Sequence, residues 1–241
     1  MEDKTTRLNA LFNYWDRCTR CSLSNERKNV IFGYGEPNAK ILIIGEAPGE
    51  NEDESGYPFV GKAGMLLDQL LALVSINPDV KEVSNNKDDF DPKLLRDLLT
   101  REYFYANVVA CHPPENRDPS PKEIEACLPR ILKLIYIIDP ILIMSVGKIA
   151  LTALTGKRSL AITQVHGELF DIAVPGLAVG LNYPLLAILH TSYLLRMNDF
   201  QSKTGLGAKT YKDILRAHEI VDQFNNWHFG VPIPSRGGTD K

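Results

Sequence analysis

The chain carries four cysteines: Cys18, Cys21, Cys111 and Cys127. The first two form a C-x-x-C pair, a spacing that lets two thiolates reach one metal. Cys111 closes a strand-like segment and Cys127 lies in the helix expected next, so a loop and a helix can bring these two together. None is left over, which suits a single site of four thiolates. Four unrelated buried cysteines would be inert, but the C-x-x-C pair argues against that. A thioredoxin-like redox pair would leave the other two unused. Zinc and an iron–sulfur cluster both accept four thiolates, so spacing alone leaves the two open.

A second chemical segment begins at Gly45-Glu-Ala-Pro-Gly49 and runs through an acidic stretch to Gly56-Tyr-Pro-Phe-Val-Gly-Lys62. Gly56, Gly61 and Lys62 match the first seven positions of a phosphate-binding loop, G-x-x-x-x-G-K. Ala63 stands where that loop needs Ser or Thr for magnesium, and the acidic run would repel a triphosphate. A hydrolytic loop fits better. Glu46 sits at a strand end, where a carboxylate can hold or activate a water. Phe59 offers a flat face for stacking a base, worth roughly 1–3 kcal/mol.

These residues need elements to position them. Ile41–Ile44 is a short apolar run ending at Gly45, the pattern of a buried strand entering a loop. Leu66, Leu67, Leu70, Leu71 and Val74 recur at helical spacing, and Asn77-Pro78 ends that helix. Residues 79–101 are charged and read as a surface insertion with one helix near Leu94–Leu99. Tyr103–Ala110 reads as a second strand. Ser120-Pro121-Lys122-Glu123 is a helix start, with a serine cap, proline at the first helical position and a capping glutamate. Pro129 is expected to kink or shorten that helix. Ile141–Val146 and Leu185–Leu189 read as further buried strands, with a helix at about Lys148–Leu154 and a hairpin over Leu169–Val179. A long helix is expected near Lys209–Asn226. Strands alternating with helices predict a three-layer α/β/α sandwich around a mostly parallel four-stranded sheet. The strand ends, where Glu46, Val109 and His190 fall, are then the expected site.

The chain has 241 residues, 44% of them hydrophobic, with a net charge of −3. One domain over residues 1–230 is expected, with a loose Pro/Gly-rich tail at 231–241. The acidic balance does not favour a nucleic-acid partner, but such binding needs only a local basic patch. Met1–Leu8 lacks the apolar core of a signal peptide. The most apolar stretch, Ile131–Val146, is interrupted by Lys133, Asp139 and Pro140, against the run of about 20 apolar residues that a membrane span needs. The expectation is a cytoplasmic monomer, or a nuclear or nucleoid-associated one, without disulfides.

Several stretches taken together resemble the family 4 uracil-DNA glycosylases. They are Gly45-Glu-Ala-Pro-Gly-x-x-Glu-Asp53 with Gly56-x-Pro-Phe-Val-Gly-Lys-Ala-Gly64; Asn107-Val-Val-x-Cys-x-Pro-Pro-x-Asn-Arg117 continued by Glu123-Ile-x-x-Cys127; and His190-x-Ser-Tyr-Leu-Leu-Arg196. They occur in the family's order over about residues 11 to 224. The resemblance implies an enzyme that hydrolyses the N-glycosidic bond of uracil in single- or double-stranded DNA, leaving an abasic site. It also implies a [4Fe–4S] cluster on Cys18, Cys21, Cys111 and Cys127, in place of zinc. Glu46 would position the attacking water and His190 would hydrogen-bond the uracil oxygen. Ala47, Phe59 and Asn107 would contact the base, with Phe59 stacking and the Asn107 amide reading its edge. Glu52 would crowd the position of a thymine methyl. Ser192 and Arg196 would meet DNA, while Lys203 and Lys209 are scattered charges of a kind normally just solvated.

Departures from the family pattern are His112 for Arg, Thr191 for Pro, His166 for Arg before Gly167, and the long 79–101 segment. Three alternatives stand beside the enzyme: a non-catalytic DNA-binding member, a member covalently trapped on its abasic product, and a zinc protein of unrelated function. Joint retention of Glu46, Asn107 and His190 speaks against the first. The short span from Cys111 to Cys127 speaks against the second.

Overall fold

The computed structural model describes residues 2–86, 90–174, 182–198 and 203–228; the expected tail at 231–241 lies outside them. In chain order the elements are α1 (Lys4–Trp15), β1 (Tyr34–Gly35), β2 (Ile41–Gly45), α2 (Glu50–Ser55), α3 (Lys62–Val74), α4 (Pro78–Asn85), α5 (Pro92–Leu99) and β3 (Tyr103–Asn107). Then follow α6 (Pro121–Ile138), β4 (Leu142–Val146), α7 (Gly147–Thr155), α8 (Ile162–Val165), β5 (Leu169–Ala173), β6 (Asn182–Ile188), α9 (Thr191–Met197) and α10 (Leu206–His228).

Among the described residues the sheet has six strands in the order β1-β3-β2-β4-β6-β5. Its inner four strands are mutually parallel, and β1 and β5 add antiparallel edges. The expected count of four therefore describes only the parallel core. β1 is two residues long, too short to leave an apolar run in the sequence. β5 is mostly exposed and supplies the first arm of the expected hairpin, whose remaining residues 175–179 lie outside the described ones; β5 pairs antiparallel with β6, which covers most of the strand expected at Leu185–Leu189.

Burial on both faces explains the continuous apolar runs of the inner strands. Leu42, Ile44, Phe104, Ala106 and Ile143 pack on one side with α1, α6 and α7. Ile41, Ile43, Tyr103, Tyr105, Leu142 and Met144 pack on the other with α3, α4, α5, α9 and α10. Among the described residues no helix is long and apolar enough to cross a membrane.

Two sequence expectations are corrected. The described residues of 79–101 hold two helices, not one, and both pack on α3 with Val80, Leu95 and Leu99 buried. Pro129 does not end α6, which continues to Ile138. An interior proline costs about 3 kcal/mol. Against that, Arg130, Ile131, Leu134 and Ile135 just beyond it are all fully buried, so tertiary packing outweighs the lost backbone hydrogen bond. The serine cap and capping glutamate of this helix form as expected, with the Glu123 N–H donating to Ser120 Oγ and the Ser120 N–H to the Glu123 carboxylate.

Candidate active site and cysteine centre

The carboxyl ends of the parallel strands meet around one cavity of about 600 Å³. β2 delivers Glu46 and Ala47, β3 delivers Asn107, β4 leads into Gly147, and His190 follows β6; Glu52, Phe59, Ser192 and Arg196 complete the wall. All eight residues expected at the base, the water or the DNA from this part of the sequence thus line one space.

Gly45 explains how the amide and the aromatic come so close. A Cβ there would lie 2.4 Å from Asn107 Oδ1 and 2.6 Å from Phe59 Cζ, so only glycine leaves room for both. Asn107 is buried. The chain beyond β3 stays bonded to its neighbour, Val108 N–H to Gly45 O (2.9 Å) and Val109 N–H to Glu46 O (3.0 Å). The backbone under Glu46 and Asn107 is therefore a rigid continuation of the sheet.

Burial pushes the Glu46 carboxyl up to about 7, and the adjacent Asp118 carboxylate adds to the shift. Sequence reasoning missed Asp118; its only signal is its place directly after the Asn116-Arg117 pair. Glu52 is committed to backbone groups: its carboxylate accepts the Gly49 N–H (3.0 Å) and the Gly61 N–H (2.8 Å). It clamps the loop at both ends while still lining the cavity.

His190 caps α9. Its Nδ1 accepts the Ser192 N–H (3.1 Å) and lies 2.7 Å from Ser192 Oγ, which in turn accepts Arg196 Nη1 (3.1 Å). An Nδ1 that accepts a backbone N–H cannot carry a proton, so the network assigns the ring proton to Nε2. Burial, helped by Arg196, lowers the imidazole to about 4, so the ring is neutral at physiological pH. Gly147 (φ +88°) backs the ring, where a Cβ would stand 3.1 Å from His190 Cδ2. His218, half-buried on α10, pairs with Tyr103 Oη at 2.5 Å.

The four cysteines line a second, small cavity together with Trp15, Arg27 and Arg130. Cys18 and Cys21 lie in the turn after α1, Cys111 in the loop after β3, and Cys127 on α6. Among the described residues no three His, Cys, Asp or Glu side chains converge on a single metal ion. The donor set nonetheless suits an anionic sulfur-ligated group. Arg27 Nη1 donates to Cys111 Sγ (3.5 Å), and Arg130, fully buried, leaves its Nε without a partner among the described residues. The rest of that guanidinium is occupied: Nη1 donates to Phe32 O (3.0 Å) and Nη2 to the carbonyls of Asn107 and Val108. Burial drives the Cys111 thiol up to about 11, which opposes a free thiolate there unless a metal compensates it.

A sheet that gathers a carboxylate pair, an amide, an aromatic ring and a neutral histidine at its strand ends is the layout of a base-handling enzyme of the α/β class. Comparison with known proteins makes this specific. The uracil DNA glycosylase superfamily model matches residues 32–214, and the chain belongs to that superfamily. It is 37% identical over 180 residues to the type-4 uracil-DNA glycosylase of Thermotoga maritima, covering 75% of this chain and 79% of that protein. The type-4 uracil-DNA glycosylase of Pyrobaculum aerophilum is 36% identical over 167 residues, covering 68% of this chain and 74% of that protein.

Proposed function

We propose that this chain is a DNA repair enzyme that hydrolyses the N-glycosidic bond of uracil in DNA, leaving an abasic site. The observation that carries the proposal is the neutral His190, its Nδ1 tied to Ser192 and its proton on Nε2, on the same cavity as Phe59 and Asn107.

The glycosidic bond is hidden in a duplex, so the nucleotide must flip out, at a cost of a few kcal/mol. Phe59 then stacks on the base and the Asn107 amide pairs with its edge. Bond breaking puts negative charge on the departing uracil. An N–H donor aimed at that oxygen stabilises the transition state more than the ground state. His190 Nε2 is that donor, and a neutral ring does not give up its proton prematurely. Glu46 holds the attacking water on the sugar side, where its carboxylate also offsets the developing positive charge. Ser192 and Arg196 meet the DNA backbone.

The four cysteines hold a [4Fe–4S] cluster in this proposal, with zinc as the rival. Four thiols and three arginines, Arg20, Arg27 and Arg130, around one cavity support it. The bound group would tie the turn after α1 to α6 and to the loop beyond β3. A brown protein with iron on analysis is the expected result; a colourless one holding zinc would reverse the assignment.

The activity is tested by alkali-induced cleavage of an end-labelled, uracil-containing oligonucleotide. Cleavage at uracil, and not at thymine or cytosine, is expected. An intact strand from folded, metal-bound protein would favour a DNA-binding module, and a retarded covalent protein–DNA band would favour trapping.

Glu46 must be ionised to hold and activate water, so kcat/KM is expected to rise with pH through about 7. Below that value the carboxyl is protonated and the water loses its acceptor. Asp118→Asn removes the neighbouring like charge, makes Glu46 easier to ionise and moves the limb to lower pH. His190 cannot supply this limb because its ring ionises only near 4. A pH–rate profile whose midpoint is the same in Asp118→Asn would assign the limb to another group.

A further inference from the structure

Arg96 belongs to α5, inside the segment that reads from sequence as a surface insertion, yet it is buried. Each of its three guanidinium nitrogens has a partner. Nε donates to Asp68 Oδ2 (2.6 Å), Nη1 to Pro58 O (2.9 Å) and Nη2 to Phe59 O (2.5 Å). Asp68, from α3, also accepts Tyr105 Oη (3.2 Å), and the guanidinium lies 4.3 Å over the Tyr105 ring. The Tyr105 ring is in turn 5.9 Å from that of Phe59.

What this fork holds is unusual backbone. Phe59 has φ +59°, a left-handed conformation that costs a bulky aromatic residue roughly 1–3 kcal/mol and persists only where surroundings enforce it. On the far side of the same peptide, a Cβ at Gly64 would lie 1.7 Å from Phe59 O. The Phe59 carbonyl is therefore wedged between the Arg96 fork and the bare backbone of Gly64. A buried ion pair such as Arg96–Asp68 adds little net stability of its own, whereas its two carbonyl contacts bear directly on a residue lining the base cavity.

We infer that Arg96 is a positioning residue for base recognition: it locks the Pro58–Phe59 backbone in the left-handed turn that presents the Phe59 ring to the cavity. The inference rests on the proposed stacking role of Phe59. It assigns a function to the 79–101 segment, which carries the fork that preorganises the stacking platform. Lysine cannot substitute, because an ammonium lacks the planar geometry that serves two carbonyls and a carboxylate together.

The test uses the full-length, metal-bound protein. Arg96→Lys keeps a charge beside Asp68; Arg96→Met combined with Asp68→Asn is the second variant, leaving no buried unpaired carboxylate. Each is made with Phe59 intact and with Phe59→Ala. Excision of uracil, inhibition by free uracil and thermal melting are measured. With Phe59 intact, kcat/KM is expected to fall by about 10- to 100-fold, the scale of a displaced positioning group, with weaker inhibition by free uracil. On the Phe59→Ala background the same changes should add less than about threefold, since coupled residues are not additive. Wild-type excision by either folded Arg96 variant, or losses that multiply with Phe59→Ala, would overturn the positioning role. Unchanged excision by Phe59→Ala would instead overturn the stacking role beneath it.

Discussion

His190→Ala is expected to slow uracil excision by about two to three orders of magnitude, the usual cost of removing one donor to a developing oxyanion. The loss should fall on kcat more than on KM, because the Nε2–H bond strengthens only as charge builds on the leaving base. The same side chain caps α9 through Nδ1 and the Ser192 N–H, so alanine also removes a cap worth about 1 kcal/mol. His190→Asn separates the two effects. Asparagine caps a helix well but does not place a donor where Nε2 stood, so it should restore stability without restoring the rate. The cysteine centre is in a different cavity, and its visible absorption should be unchanged in both variants. Wild-type turnover by His190→Ala would remove His190 from the chemistry.

Cys127→Ser is expected to lose the bound metal group and most of the stability that depends on it. Serine has nearly the volume of cysteine, so packing at this buried position of α6 changes little while one sulfur ligand is lost. Structural metal centres in small domains contribute roughly 10 kcal/mol or more. Losing even half of that would lower the melting temperature by more than about 10 °C, at roughly 2–4 °C per kcal/mol for a chain of this size. Excision should fall as a consequence. Arg130 lines the cysteine cavity and also donates to the Asn107 and Val108 carbonyls, so disorder at the centre reaches the backbone under the Asn107 amide. Metal analysis, the visible spectrum and a thermal melt check the outcome. A folded Cys127→Ser protein with full metal content and normal excision would overturn four-cysteine ligation.

Much of this protein is legible in the amino-acid sequence, and for an identifiable reason. The parallel strands are buried on both faces, so Ile41–Ile44 and Ile141–Met144 stand out as unbroken apolar runs. Strand ends are where a loop can carry polar groups, so Glu46 and His190 could be placed together before any coordinates, while Asn107, inside the expected strand, entered only through the family resemblance. The helix start at Ser120 is local chemistry between residues three apart, and it forms as read. The cysteine set could be grouped because nothing else in the chain competes for it, although spacing alone left zinc and iron–sulfur open.

The tertiary structure decided what depends on distant partners. Pro129 is a helix breaker in isolation, but the buried Arg130 and its apolar neighbours hold α6 together across it. The 79–101 segment looks solvated because its charges outnumber its apolar residues, and a one-dimensional reading cannot tell that Arg96 turns inward to meet Asp68. The edge strand β1 is only two residues long, too short to leave a pattern. The raised carboxyl of Glu46 and the tautomer of His190 were likewise invisible, since each is set by burial and by one neighbour, Asp118 or Ser192. Residue types and local spacing determine which groups are available. Burial and through-space charge, which exist only once the chain has closed on itself, determine their protonation and orientation.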